Sequence, residues 1–251
     1  MADEAREVLT STEFDKISVA LDSILSHGGL EAYPFKIGWY NNQVTHKQFQ
    51  FPFDPDTLAF VIISTPEMFE KGFKPFITDA DCLGSRDPID ECMTAFFLKV
   101  KQAFPCHEID AIHDFELHPN RRPKVLVQTA AHAAGAAYFY QRKDITDDPW
   151  PPTQRICGVC VHPKYGGWFA IRGVLIFKTF KYPDLPRKPP MDVVVGDEKR
   201  IELLEKFNFH WEDWSFRDVV PSERKYSDQQ IKYFSTLPVN RKDLLDSILK
   251  E

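Results

Sequence analysis

The chain has 251 residues, 43% hydrophobic and 14% aromatic, enough for a sizeable core in one large domain. A formal net charge of -6 with no basic run to offset it excludes nucleic acid as a primary partner, and no apolar run reaches the ~18 residues of a membrane span. The acidic start Met1-Ala2-Asp3-Glu4 lacks a secretory signal, and five cysteines without framework spacing point to a reducing, cytoplasmic setting.

Residues 3–25 carry Val8, Phe14, Ile17, Ala20, Leu21 and Ile24 at helical spacing, predicting a helix that ends before Gly28-Gly29. Leu58 to Ser64 is a continuous apolar run of strand length between prolines. Asp87-Pro88 reads as a cap with proline at the first helical position, opening a helix to about Phe104. Strands are expected over 108–117 and 124–128, then a helix through the alanine-rich 129–137. Residues 155–161 and 168–178 read as two strands of a hairpin through Lys164-Tyr165-Gly166-Gly167. A proline-rich connector over 182–191 precedes a short helix at 198–206, an aromatic segment that reads as a packed lid, and two C-terminal helical pieces. The fold class is α+β around an antiparallel sheet, with 1–181 as core and 182–251 as a cap that completes the same domain.

Three features invite chemistry. Cys157-Gly158-Val159-Cys160 places two thiols three apart, which could cycle electrons, form a disulfide or be inert strand cysteines. It precedes a turn and a strand rather than a helix, unlike a thioredoxin site, and no second ligand pair completes a zinc site. In the strand over 168–177, Phe169, Ile171, Gly173, Leu175 and Phe177 are expected on the core face. That leaves Arg172 opposite, with Trp168, Ala170, Val174 and Ile176, where a guanidinium needs a structural or a ligand carboxylate. His132, in His-x-x-Gly, is a weak metal-ligand signal, because Ala130 stands where an orienting carboxylate would be needed. No P-loop, dinucleotide fingerprint or nucleophile elbow occurs.

Several longer segments resemble one family when taken together. Ser64-Thr65-Pro66, His118-Pro119-Asn120-Arg121-Arg122-Pro123-Lys124, Gln128-Thr129-Ala130-Ala131-His132, Gly135-Ala136-Ala137-Tyr138, Gly166-Gly167-Trp168-Phe169-Ala170-Ile171-Arg172-Gly173 and Phe207-Asn208-Phe209-His210-Trp211 are similar to the cytosolic cobalamin-processing proteins of the cobalamin C disease family, from about residue 30 to 241. The resemblance implies a nitroreductase-like (flavin reductase) fold. It also implies removal of the upper axial ligand of cobalamins, by glutathione-dependent dealkylation and by decyanation with flavin (FMN or FAD) or thiol electrons. Cobalamin would be held base-off, with no histidine on cobalt.

By matching position, corrinoid contacts would come from Asp114, Val125, Leu126, Val127, Gln128, Phe139, Tyr140, Gln141, Cys160 and Ile171, and glutathione's carboxylates would meet Arg172, Arg217 and Arg241. The chain departs from a mammalian relative at Val125 and Val127, at Phe139, which loses a tyrosine hydroxyl, and at Cys157, where that relative has serine. Cys157 beside Cys160 suggests a thiol-oxidase side activity. The family further implies hand-over to a downstream trafficking adaptor, and a monomer or ligand-dependent homodimer. A non-catalytic cobalamin escort and a plain flavin reductase are the competing readings.

Overall fold

A computed structural model describes residues 7–79 and 87–249. The chain enters through a short strand, β1 (Glu7–Val8), and then turns into helix α1 (Ser11–Leu25). Thr10 sets that boundary: its hydroxyl accepts from the Glu13 amide at 3.4 Å, while the Glu13 carboxylate accepts from the Thr10 amide at 2.8 Å. The helix expected over 3–25 is thereby corrected at its start; residues 3–6 lie outside the described residues, as does Cys82.

Next come β2 (Leu30–Lys36) and α2 (Ile37–Asn41), neither of them expected, then β3 (Thr57–Ser64), α3 (Lys74–Asp79) and α4 (Pro88–Ala103). Strand β4 (Ile109–His113) is shorter than the expected 108–117. The strand expected over 124–128 is absent: Val127 opens helix α5 (Val127–Ala133), and the Ala130 amide already donates to the Leu126 carbonyl at 3.0 Å. A short apolar run does not distinguish strand from helix, and the following alanines draw this one into the helix. Strands β5 (Tyr138–Tyr140), β6 (Val159–Val161) and β7 (Ala170–Lys181) precede α6 (Asp197–Phe209), α7 (Asp228–Ser235) and α8 (Arg241–Ile248).

The main sheet centres on β7, which pairs with β3 along one edge and with β4 and the parallel β1 along the other; β2 closes the β3 side. β2 is an edge strand, where Pro34 is tolerated for want of an inner ladder position. Both faces are covered. Leu58, Phe60, Ile62, Leu175 and Phe177 pack with α1, α4, α7 and α8, whereas Ala59, Val61, Ile63, Val174 and Ile176 pack with α2 and α5. This explains why β3 is apolar at nearly every position. Each fully buried phenylalanine contributes about 1.5–3 kcal/mol relative to an exposed one. The expected hairpin of β6 with β7 does not form: β6 pairs with β5 in a separate ribbon that packs with α6, and only the His162–Gly166 bridge closes the turn between them.

The alternation expected in β7 is also corrected. Ile62 pairs with Gly173 but Ile63 pairs with Ile171, so Arg172 is an extra residue, a β-bulge. The bulge reverses parity: Phe169 and Ile171 join Val174 and Ile176 on the α5 face instead of Leu175 and Phe177. Gly173 makes it possible at φ 141°, with the Ile112 carbonyl 2.3 Å from where a Cβ would stand. Gly173→Ala is therefore expected to cost roughly 1–3 kcal/mol, read as a lowered urea midpoint.

Candidate functional site

The bulge delivers Arg172 to the floor of a cavity of about 960 Å³. Arg217, from the 3-10 turn Ser215–Asp218, and Arg241, the first residue of α8, line the same cavity, as does Cys157. Arg172 is only 8% exposed, and its Nε donates to the Ser64 hydroxyl at 3.0 Å. The Arg217 guanidinium lies 4.8 Å from the Trp214 ring, 4.9 Å from Phe216 and 5.1 Å from Tyr226. Its Nη1 donates to the Gly167 carbonyl, and its buried Nε has no partner. Burial pushes the Arg217 guanidinium below its ordinary value, with Arg172 adding repulsion and Tyr226 opposing. Trp214 is held at φ 64°, a strained conformation for a bulky residue at the cavity wall.

Among the described residues neither Arg172 nor Arg217 has a carboxylate in ion-pair contact, while Arg241 meets Asp87 at 3.7 Å. Glu212, an exposed residue, lines the same cavity, and two further carboxyl groups, Asp90 and Asp114, feel the Arg172 charge. Burial, then Asp87 and Asp114, push Asp90 up to about 6 against the pull of Arg172 and Arg241. Burial likewise raises Asp114, which Arg172 opposes, and the Asp114 amide donates to the Arg172 carbonyl at 3.2 Å. The cavity thus holds a buried guanidinium, Arg172, and a partly buried one, Arg217, neither in contact with a carboxylate among the described residues.

A second cavity, of about 660 Å³, is lined by Leu126, Gln128, Phe139 and Gln141 together with His132 and Tyr138. Gly158 packs on the Phe139 ring, 2.6 Å from its own absent Cβ position, so one residue separates Cys157 on one cavity from Phe139 on the other. Six of the expected residues line neither cavity. Asp114 holds the Arg172 carbonyl through its amide, and Val125 is buried beside α5. Val127 and Ile171 are partly buried in that same cluster. The Tyr140 side chain is fully buried, its hydroxyl donating to Asp192 at 2.7 Å and accepting from Val193 and Val194. The Cys160 thiol is buried 3.7 Å from the Gln128 carbonyl, and burial pushes it well above the ordinary thiol value.

His132 accepts the Phe139 amide at Nδ1 (3.0 Å), so its Nε2 carries the proton, and burial lowers its basicity. It is a neutral donor, poorly set up to ligate a metal. The sequence did not single out Asn208, whose side chain clamps both the amide and the carbonyl of Cys157 at 2.8 and 3.0 Å. It lies within the aromatic segment that reads as a lid, and Trp211 and Trp214 of that segment line the arginine cavity.

Residues 29–245 match the methylmalonic aciduria and homocystinuria type C family, and the chain belongs to it. A relative from Gallus gallus named cyanocobalamin reductase / alkylcobalamin dealkylase is 49% identical over 231 residues, covering 92% of this chain and 96% of the relative. The Homo sapiens protein of the same name is 48% identical over 225 residues, covering 90% and 79%. The crystal structure of a C. elegans B12-trafficking protein CblC, a human MMACHC homologue, superimposes with a TM-score of 0.87 at 31% identity, covering 96% of this chain and 98% of that one. The α+β architecture is shared with it, and no helix among the described residues is long and apolar enough to cross a membrane.

Behind Arg217, a buried network locks the turn that holds it. His162 accepts the Lys164 and Tyr165 amides at Nδ1 (3.0 and 3.2 Å), so its Nε2–H donates to the Tyr33 hydroxyl at 3.0 Å. Tyr33 and Tyr165 each donate to the Glu31 carboxylate, at 2.7 and 2.5 Å. The same turn presents Gly167, whose amide donates to the Arg217 carbonyl at 3.1 Å. Burial depresses His162 to about 4. The unfolded chain therefore takes up a proton near the ordinary value while the folded chain refuses it, and stability is lost as pH falls from about 6.5 to about 4, by roughly 3 kcal/mol. His132 and His113 shift the same way, so the test is the difference between proteins. Urea unfolding across that range should give a flatter pH dependence for His162→Gln than for wild type; equal slopes would remove His162 from this account.

Proposed function

We propose that this protein removes the upper axial ligand of cobalamins, dealkylating alkylcobalamins with glutathione and reductively decyanating cyanocobalamin. The names of its relatives support the two activities. The observation that carries the glutathione assignment is the convergence of Arg172, Arg217 and Arg241 on one cavity, two of them without contacting carboxylates. Glutathione carries two carboxylates, which guanidinium groups bind directionally.

In this reading the arginines hold the thiol so that its sulfur faces the cobalt-bound carbon, and the aromatic walls exclude water. The sulfur takes the alkyl carbon, the cobalt–carbon electron pair stays on the metal as cob(I)alamin, and the thiol proton leaves. The corrin lies along the β5–β6 ribbon, with Leu126, Gln128, Phe139 and Gln141 from the second cavity against it. Val125, Val127, Tyr140, Cys160 and Ile171 contribute through backbone and packing, because Tyr140 has already committed its hydroxyl. The Asp114 amide holds the Arg172 carbonyl, while its carboxyl acts on the guanidinium through charge alone. Base-off binding agrees with His132, whose Nε2 is protonated and whose Nδ1 is occupied.

Thiol or reduced flavin (FMN or FAD) would supply the electrons for decyanation, and the arginines that suit a carboxylate suit a flavin phosphate equally. A thiol-oxidase side activity belongs to the same cavity, with Cys157 the protein sulfur lining it. Two glutathione thiols lose two electrons and two protons and become glutathione disulfide. The electrons pass by way of the cobalt to oxygen, which with the two protons leaves as hydrogen peroxide. A nitroreductase-like lineage, a cytoplasmic location, hand-over to a trafficking adaptor and a monomer or ligand-dependent homodimer complete the proposal.

The test mixes the protein with methylcobalamin and glutathione without oxygen, follows the visible spectrum and looks for S-methylglutathione. Binding without spectral change would make the protein an escort; retained flavin and no corrinoid binding would make it a flavin reductase. Arg172→Gln is expected to slow dealkylation roughly 10- to 100-fold while leaving cobalamin affinity within about threefold. Equal losses in both would assign Arg172 a structural role.

A further inference from the structure

Among the described residues Cys106 and Cys157 are exposed, and Cys92 and Cys160 are buried. Cys157 alone of the four lines the arginine cavity. Its backbone is fixed on both sides by Asn208, which is itself anchored to the Leu204 carbonyl at 2.8 Å. Cys157 is thus anchored through its backbone on a cavity that the nine-tenths-buried Arg172 also lines with Arg217 and Arg241. Among the described residues neither Arg172 nor Arg217 has a carboxylate in ion-pair contact. Cys160, three residues on, is turned the other way, into the cluster under α5.

We propose that Cys157 is a site of reversible mixed-disulfide formation with a carboxylate-bearing disulfide, glutathione disulfide, which the three arginines seat. The inference rests on the reading of this cavity as the glutathione site. Cys157 loses its proton and attacks one sulfur of glutathione disulfide. That sulfur–sulfur bond breaks, a Cys157–glutathione disulfide forms, and the second glutathione departs as thiolate and takes up a proton. The two-electron oxidation of Cys157 is matched by reduction of one glutathione, so no other oxidant enters. The attached glutathionyl group then occupies the arginines and keeps reduced glutathione from seating there, until a glutathione thiolate from solvent attacks the glutathionyl sulfur and releases glutathione disulfide and the Cys157 thiol. The activity would thereby follow the ratio of disulfide to thiol. A serine at this position has no such response.

The experiment treats the full chain with glutathione disulfide without oxygen and follows each cysteine by peptide mapping. Cys106 is the internal control, exposed but outside the cavity. Cys157 is expected to gain the glutathionyl group about tenfold or more faster than Cys106, since the seated disulfide reacts as a bound neighbour. With neutral 2-hydroxyethyl disulfide the preference should fall to within about threefold, and Arg172→Gln should produce the same fall with glutathione disulfide. Modified protein should lose dealkylation and regain it with dithiothreitol. Equal rates at Cys157 and Cys106, the same preference with the neutral probe, or an internal Cys157–Cys160 disulfide as product would each overturn the proposal. Titrating reduced glutathione into Cys157→Ser separates the two levels. Binding there, with no modification of wild type, defeats this inference alone; no binding defeats the glutathione reading as well.

Discussion

The site depends on one surplus residue in a strand. With a regular β7, alternation would bury Phe169 and Ile171 beside Leu175 and Phe177. The bulge at Arg172 reverses that order at the end of the strand. Phe169 and Ile171 go to the alanine side, and Arg172 reaches the cavity alongside Ala170. Gly173 supplies the backbone conformation, and the Ile112 carbonyl occupies the space a side chain would have taken. A single local irregularity decides both which apolar residues meet α5 and which cation faces the cavity.

A buried guanidinium without an anion is expensive, and the structure spreads that cost. Arg172 has the Ser64 hydroxyl; Arg217 has the Gly167 carbonyl and four aromatic rings; Asp90 and Asp114 act on Arg172 through charge without an ion-pair contact. A contacting carboxylate would stabilise the empty protein more and would also occupy the position a ligand carboxylate needs. The partners chosen are weaker than a carboxylate, so binding affinity and stability are set against one another here. The His162–Tyr33–Glu31–Tyr165 network sits on the stability side of that balance. It fixes the Gly166-Gly167 turn that grips Arg217 without entering the cavity.

What was legible in the sequence follows from which signals are local. The eight-residue β3 was readable because both its faces are covered, which leaves an unbroken apolar run. α4 was readable from Asp87-Pro88. β2 was not, because Pro34 argues against a strand unless the strand is known to be an edge. The 124–128 run was ambiguous by length, and the hairpin of β6 with β7 failed because partner choice is set by tertiary packing. Arg172 raised a question through its apolar neighbours. Arg217 and Arg241 came only from the family resemblance, since no spacing joins three arginines contributed by a strand, a 3-10 turn and a helix start. The burial of the Tyr140 and Cys160 side chains depended on β5–β6 pairing, which no single segment encodes.

The β5–β6 ribbon then determines how the two thiols differ. The strand begins only at Val159, so Cys157 precedes the ladder and is free to turn toward the arginines, while Cys160 within it must point where the register sends it. That direction is inward, against the Gln128 carbonyl, where burial disfavours the thiolate. A Cys-x-x-Cys couple works when both sulfurs can reach one another and one of them ionises easily. Here one sulfur belongs to an exposed residue on the cavity the three arginines line and the other is sealed beneath α5, separated by the contact of Gly158 with Phe139. The geometry favours one-thiol chemistry, in which the second sulfur arrives with a ligand the arginines can hold.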